Sequence, residues 1–254
     1  MIKNLLNFVK IEHTLFSLPI VFSGAFLAEG LRGDKISAAK FIWIFAAVLG
    51  ARSAGFAMNR IIDCDLDAKN PRTKDREMPS GAISPAAAWT FTACSAGLFI
   101  LAASQLSKTC LMLAPIPLVF FFIYPYLKRY TMWAHLGLGT AWGIAPLGGW
   151  LAVNPQIAPF RTMMPAILLA LFCIFWVAGF DVIYALLDEK SDRENHIFSM
   201  PAILGEKNAL RVSEIAHTAA VLFLGTLVQV YLNHPLSFGL LTVAGALLIV
   251  SHWR

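Results

Sequence analysis

The sequence predicts an all-α, polytopic transmembrane helical bundle of about eight helices, arranged as two four-helix halves related by internal duplication. Three observations carry this. The 254 residues are 58% hydrophobic and only 14% charged, with a mean hydropathy of +0.67, far more apolar than an average soluble domain. Apolar runs of about 20 residues, each long enough to cross a hydrocarbon core of roughly 30 Å as a helix, recur along the whole chain. Polar residues near the ends of two of these runs repeat at a fixed separation.

Taken in order, the predicted spans are Thr14–Leu31, Phe41–Ile62, Ala86–Leu106, Cys110–Leu127, Ala134–Val153, Met164–Leu187, Leu210–Leu232 and Leu236–Trp253. The opening MIKNLLNFVKIEH lacks the three-part pattern of a cleavable signal and reads as a short basic amphipathic lead lying on the membrane surface. With both ends on one side, fourteen Lys and Arg fall there, against Arg32, Lys35, Lys40, Lys108 and Arg161 opposite; Arg52 lies inside a span. The positive-inside rule therefore predicts cytoplasmic termini and basic loops. The formal net charge of +5 suits anionic lipid headgroups and a diphosphate, and needs no nucleic acid. Cys64, Cys94, Cys110 and Cys173 show no CxxC spacing and read as small packing residues. The six histidines have no ligand spacing, with His196 singled out only because it lies in a polar loop.

Two long polar stretches, Asp63–Ser84 and Asp188–Asn208, interrupt this pattern. The first begins Asn59-x-x-x-Asp63-x-x-x-Asp67, whose i, i+4, i+8 spacing puts three oxygen-bearing side chains on one helical face. The second reads Asp181-x-x-Tyr184-x-x-x-Asp188-x-x-x-Asp192, with Asp188 and Asp192 standing 125 positions after Asp63 and Asp67. Such repetition at a fixed period is the mark of a duplicated unit. A solvated loop is the ordinary explanation of a charge cluster, but repeated carboxylates beside hydrocarbon are costly unless something neutralises them. Mg²⁺ does so, because it takes oxygen ligands from one or two carboxylates together with substrate phosphate. Asp63, Asp67, Asp188 and Asp192 are thus the candidate metal ligands.

Arg72 and Arg76, just beyond, are candidate diphosphate clamps, since a guanidinium binds phosphate oxygens bidentately; positive-inside bias alone is the competing explanation. Arg52 projects from the face of Asn59 and Asp63, about two turns deeper, to pair with a site aspartate or to bind a substrate carboxylate. Asp181, one turn inside Tyr184, is placed to steady a cation, accept a proton or pair structurally with Arg52.

These motifs resemble those of the UbiA superfamily of intramembrane prenyltransferases, from the first span to the end of the chain. NRIIDCDLD is similar to that family's NDxxDxxxD signature, with Arg60 where an aspartate usually stands; NPRTKDREMPSG resembles its basic loop, YPYLKRYT the loop after its fourth helix, and DVIYALLDEKSD its second signature. The resemblance implies that Asn59 and the four aspartates organise Mg²⁺ and a polyprenyl diphosphate. It also implies that Arg72 and Arg76 contact the diphosphate, that Lys128 and Arg129 form a basic loop near the mouth, that Arg52 receives the carboxylate of an aromatic acid, and that Tyr184 borders a cationic intermediate. The openings KIEHTLFSLPIVFSGAFLA and ARSAGFAMNRIIDCDLDAKNPRT look closest to 4-hydroxybenzoate polyprenyltransferases and to their futalosine-route menaquinone relatives, which take 1,4-dihydroxy-6-naphthoate; the EHTLFSLP segment and Arg60 lean toward the latter. The whole chain, residues 1–254, is read as one domain in a bacterial inner membrane. It ends one crossing short of the family's usual nine, either as a natural short form or because the last helix is missing. The competing class is a transporter or channel, which predicts charges deep in several spans rather than acidic residues gathered at two helix ends.

Overall fold

In the computed structural model, residues 7–9 and 14–253 are described, so most of the basic lead lies outside the described residues. In its described part Phe8 and Val9 pack against the bundle, buried with Ala57, Ile83 and Ala88, and the Phe8 ring meets Phe91 edge-on.

The predicted spans are helical. They are α1 (Thr14–Arg32), α2 (Ala38–Ile62), α4 (Pro85–Leu106), the pair α5 (Lys108–Leu113) and α6 (Pro115–Leu127), α7 (Ala134–Val153), α8 (Met164–Ala185), α11 (Glu206–Leu227) and α12 (Pro235–His252). Short helices α3 (Cys64–Asp67), α9 (Glu189–Glu194) and α10 (Met200–Leu204) lie in the two long polar stretches. Seven segments of the described chain are long and apolar enough to span a bilayer, and α1 is helical over 19 residues beside them. The fold is therefore a helical membrane bundle. Its outer surface carries side chains that water would not tolerate as a continuous band, among them Ile42, Leu101, Ile116, Ile215 and Leu247, all well exposed.

Local chemistry sets the helix starts. Ser37, Ser84, Ser107 and Ser199 each cap an N-terminus with a side-chain oxygen, satisfying a backbone donor that has no partner in the first turn. Pro85, Pro115 and Pro235 then occupy first-turn positions where a missing N–H costs nothing. The predicted fourth span is broken at Ala114–Pro115, and the seventh ends in a π-helical turn, Val228–Leu232.

The helices recur in the same order in the two halves, and so does their main packing. Helix α2 packs along α4 as α8 packs along α11, while α7 joins the halves by packing on both α1 and α8. The likeness is partial: α7 packs along α8 much more closely than α1 along α2, and α6 packs on α2 and α7, whereas α12 packs mainly on α11.

Contact between α1 and α7 depends on missing side chains. A Cβ on Gly149 would stand 1.9 Å from the Val21 carbonyl oxygen, and one on Gly24 would stand 2.0 Å from that of Pro146. Small residues allow this close backbone approach, which drives helix association in lipid. Gly149→Ala must push the helices apart and is expected to cost about 1–3 kcal/mol, as overpacking does. Thermal unfolding in detergent checks this against Gly148→Ala, where an added Cβ meets nothing within 4 Å.

Candidate active site

The two acidic motifs lie at one end of the bundle, around a single cavity of about 1970 Å³ that both halves line. Each motif breaks from regular helix at the equivalent aspartate. Asp63 closes α2 at φ −90°, ψ 1°, and Asp188 precedes α9 at φ −110°, ψ 1°. Both sit in the sparsely used bridge region, where active-site residues are often found. A 3₁₀ turn, Leu186–Asp188, tightens the second motif between Tyr184 and Asp188.

Nearly every candidate residue borders this cavity: Arg52, Asn59, Asp63, Asp67, Arg72, Arg76, Lys128, Asp181, Tyr184, Asp188 and Asp192. The motifs are tied across it. Asn70 Nδ2 donates to Asp188 Oδ1 at 2.8 Å, and the Arg72 guanidinium grips both Asp188 oxygens, with Nε to Oδ1 at 2.8 Å. Arg72 also donates to the Tyr184 hydroxyl at 3.2 Å and lies 5.2 Å from the centre of that ring. Arg76 Nη1 bonds both oxygens of Asp67, at 2.7 and 2.8 Å, and Lys128 Nζ meets Asp63 Oδ2 at 2.6 Å. Asp192 is buried, with the Ser199 side chain close by. The aspartates thus carry basic or polar partners, and among the described residues no three acidic, His or Cys side chains stand together as a ready-made metal cluster.

Asp63 still fits a hard cation. Its Oδ2 also accepts from Asn59 Nδ2 at 3.0 Å, but Oδ1 is buried and accepts no hydrogen bond, a costly state for a carboxylate oxygen. Burial pushes the Asp63 carboxyl above the usual range, with Lys128 pulling the other way. The donor set is oxygen throughout, which suits Mg²⁺ rather than a soft metal.

Arg129 differs from the expectation. It does not border the cavity. Its guanidinium instead donates to both Asp65 oxygens at 2.7 and 2.9 Å and to the Ile62 carbonyl at 2.6 Å, capping the end of α2. These hydrogen bonds hold the Asp65 carboxyl below the usual range. A lowered carboxylate pKa stabilises the fold above the unfolded-state value, and that stability is lost as pH falls through the folded-state value. Asp65→Asn is therefore expected to remove a modest part of the acid sensitivity of thermal unfolding, measured from about pH 5 down to about pH 2.

Sequence reasoning missed Asn70, which borders the cavity and holds Asp188 as described above, and two further residues. His135, buried and bordering the cavity, accepts from the Met200 backbone N–H at its Nε2 (3.1 Å), so its Nδ1 carries the proton donated to Asp181 Oδ2 at 2.6 Å. Tyr124 lines the cavity from α6, within electrostatic reach of Arg52, Asp63 and Asp181. His196, the histidine singled out from sequence, does not border the cavity. Away from the charged end the walls are apolar, including Val48, Phe99, Leu113, Phe121, Trp142 and Trp176. The cavity exceeds the roughly 300–1,000 Å³ of a drug-sized site and has room for a long hydrocarbon.

Comparison with known proteins gives the same picture. The model of the UbiA prenyltransferase family matches residues 17–254. The 4-hydroxybenzoate octaprenyltransferase of Pseudoalteromonas atlantica (strain T6c) is 29% identical over 211 residues, 82% of this chain and 71% of that protein. The mitochondrial 4-hydroxybenzoate polyprenyltransferase of Arabidopsis thaliana is 32% identical over 213 residues, covering 83% of this chain but only 50% of the plant protein. Among solved structures, the apo form of a UbiA homolog from Aeropyrum pernix K1 superposes with a TM-score of 0.87 at 34% identity, covering 95% of this chain and 88% of that one. A UbiA homolog from Archaeoglobus fulgidus bound to DMAPP and Mg²⁺ shares the fold, with a TM-score of 0.78 at 15% identity over 98% of this chain and 85% of its own. A family match over nearly the whole chain, joined to an apolar bundle with a charged cavity, decides between enzyme and solute pathway: the chain belongs to the UbiA prenyltransferase family and is an integral membrane enzyme of prenyl transfer.

Proposed function

We propose that this enzyme moves a polyprenyl chain from a polyprenyl diphosphate to the ring of an aromatic acid, 4-hydroxybenzoate, in quinone biosynthesis. The observation that carries the reading is the convergence of both aspartate motifs on one cavity, bridged by Asn70 and Arg72 onto Asp188. Support for this acceptor comes from the relatives, which are 4-hydroxybenzoate prenyltransferases. In this reading residues 1–254 act as one unit in a bacterial inner membrane, with both termini and the charged end of the bundle facing the cytoplasm.

Asp63, Asp67, Asp188 and Asp192, with Asn59, would hold Mg²⁺, a role supported by the unpartnered Oδ1 of Asp63. The metal would supply Lewis-acid neutralisation of the departing diphosphate. Arg72, Arg76 and Lys128 lie on those carboxylates and can turn their N–H groups onto phosphate oxygens, stabilising the charge that develops as the carbon–oxygen bond breaks. The Tyr184 ring faces the allylic carbon, whose positive charge its π-face stabilises. Arg52, deeper in the cavity, takes the carboxylate of the acceptor, so that the carbon ortho to the hydroxyl meets the cation. Asp181, held by His135 Nδ1–H, receives the proton that leaves as the ring regains aromaticity. Apolar walls keep water from the cation.

The test is a membrane assay with one labelled polyprenyl diphosphate, with and without Mg²⁺, offering 4-hydroxybenzoate and 1,4-dihydroxy-6-naphthoate separately. Prenylated 4-hydroxybenzoate formed only with the metal is the expected result. A prenylated naphthoate alone would move the assignment to the other acceptor, and metal-independent transfer would remove the aspartates' role.

A further inference from the structure

Arg60 stands in the last turn of α2, next to Asn59, and its side chain is only 6% exposed although the residue borders the cavity. Its guanidinium carbon lies 5.2 Å from the centre of the Phe56 ring. Nη1 is buried and makes no hydrogen bond, and Glu77 Oε2, 3.8 Å away, is likewise buried and accepts none. That separation is too long for a hydrogen bond. Asp63, Asp67 and Arg76 are the other charges within electrostatic reach of Arg60. A charged donor left unmade in a buried place is costly, and here it belongs to a cation beside an anion-handling rim. Arg72, Arg76 and Lys128, by contrast, are closed onto Asp188, Asp67 and Asp63.

We propose that Arg60 is a diphosphate-binding residue, whose Nη1 donates to a phosphate oxygen of the prenyl donor, with Glu77 as the counter-ion that the guanidinium leaves when the donor binds. This rests on the reading that the cavity takes a prenyl diphosphate. Diphosphate is the ligand, rather than the acceptor carboxylate, because Arg60 lies level with Asn59 and the Asp63–Asp67 rim, two turns above Arg52. Glu77 has the complementary role: it lowers the affinity by competing for the guanidinium.

Binding of inorganic pyrophosphate to the purified chain in Mg²⁺ buffer, by calorimetry and ligand-induced thermal stabilisation, tests this without turnover. The double substitution Arg60→Gln/Glu77→Gln keeps the buried pair neutral and is expected to weaken pyrophosphate binding about 10-fold, the worth of one hydrogen bond to a charged group. Glu77→Gln alone is expected to tighten it, and 4-hydroxybenzoate affinity should stay within about twofold in both. Unchanged pyrophosphate affinity in the double variant, or loss of 4-hydroxybenzoate binding instead, overturns the proposal. If the double variant does not fold, Glu77→Gln decides alone, and an unchanged or weaker affinity there overturns it. A wild-type chain that binds no pyrophosphate overturns the underlying reading of the cavity along with it.

Discussion

Asp63→Ala and Asp188→Ala should each reduce Mg²⁺-dependent prenyl transfer by at least about 10³-fold while the protein remains inserted and monodisperse. One preorganised group facing developing charge is worth about 10²–10³ in rate, and each of these carboxylates is also a proposed metal anchor. Neither loss should unfold the bundle, because both side chains lie where the helix has already broken, at the ends of α2 and α8 rather than within their packed faces. Each substitution does release a cation: Lys128 in the first case, Arg72 in the second. A freed cation can still bind diphosphate, so donor affinity should fall much less than kcat. The control is Asp65→Ala in the same motif. Asp65 is 58% exposed, faces Arg129 rather than the cavity, and its removal should leave transfer within about threefold. Near-normal turnover in both Asp63→Ala and Asp188→Ala would remove the metal assignment.

The helices were legible because the bilayer imposes length and apolarity on every span, and these are local properties of the sequence. The charged end was legible for a related reason. Asn59, Asp63 and Asp67 share a helical face by spacing alone, and the recurrence of the two aspartates 125 positions later, as Asp188 and Asp192, announced a second copy. What spacing does not encode is which side chain meets which across the bundle. Arg129 and Lys128 are neighbours in one basic loop, yet the loop's path sends Lys128 to Asp63 and Arg129 to Asp65. His135 had no signal at all, since its role depends on a backbone N–H 65 positions away at Met200 and on Asp181 on the adjacent helix. The break at Asp188 shows a subtler limit: helical periodicity put Tyr184, Asp188 and Asp192 on one continuous face, whereas the chain leaves regular helix in a 3₁₀ turn there and Asp188 is held from across the cavity by Arg72 and Asn70.

Arg52→Ala should act on the acceptor and leave the donor nearly untouched. The residue lies in the interior of α2, bordering the cavity about two turns below Asn59 and three below Asp63, with its guanidinium carbon 5.2 Å from the Phe56 ring. A planar fork held against an aromatic face is well suited to a carboxylate, which accepts two parallel N–H groups. Hydrogen bonds to a charged group contribute about 1.5–3 kcal/mol, which corresponds to a rise of about 10- to 100-fold in KM for 4-hydroxybenzoate, since each 1.4 kcal/mol is a factor of ten. KM for the polyprenyl diphosphate should change by less than about threefold, because the proposed donor contacts are Arg60, Arg72, Arg76 and Lys128, all nearer the rim than Arg52. Arg52→Lys should recover only part of the loss, as an ammonium keeps the charge but cannot make the bidentate contact. An acceptor lacking the carboxylate should bind the wild type and Arg52→Ala equally well, because the lost interaction is then absent from both. If the acceptor KM of Arg52→Ala instead stays at the wild-type value while kcat falls, Arg52 acts in the transition state alone and the carboxylate must be held elsewhere in the cavity.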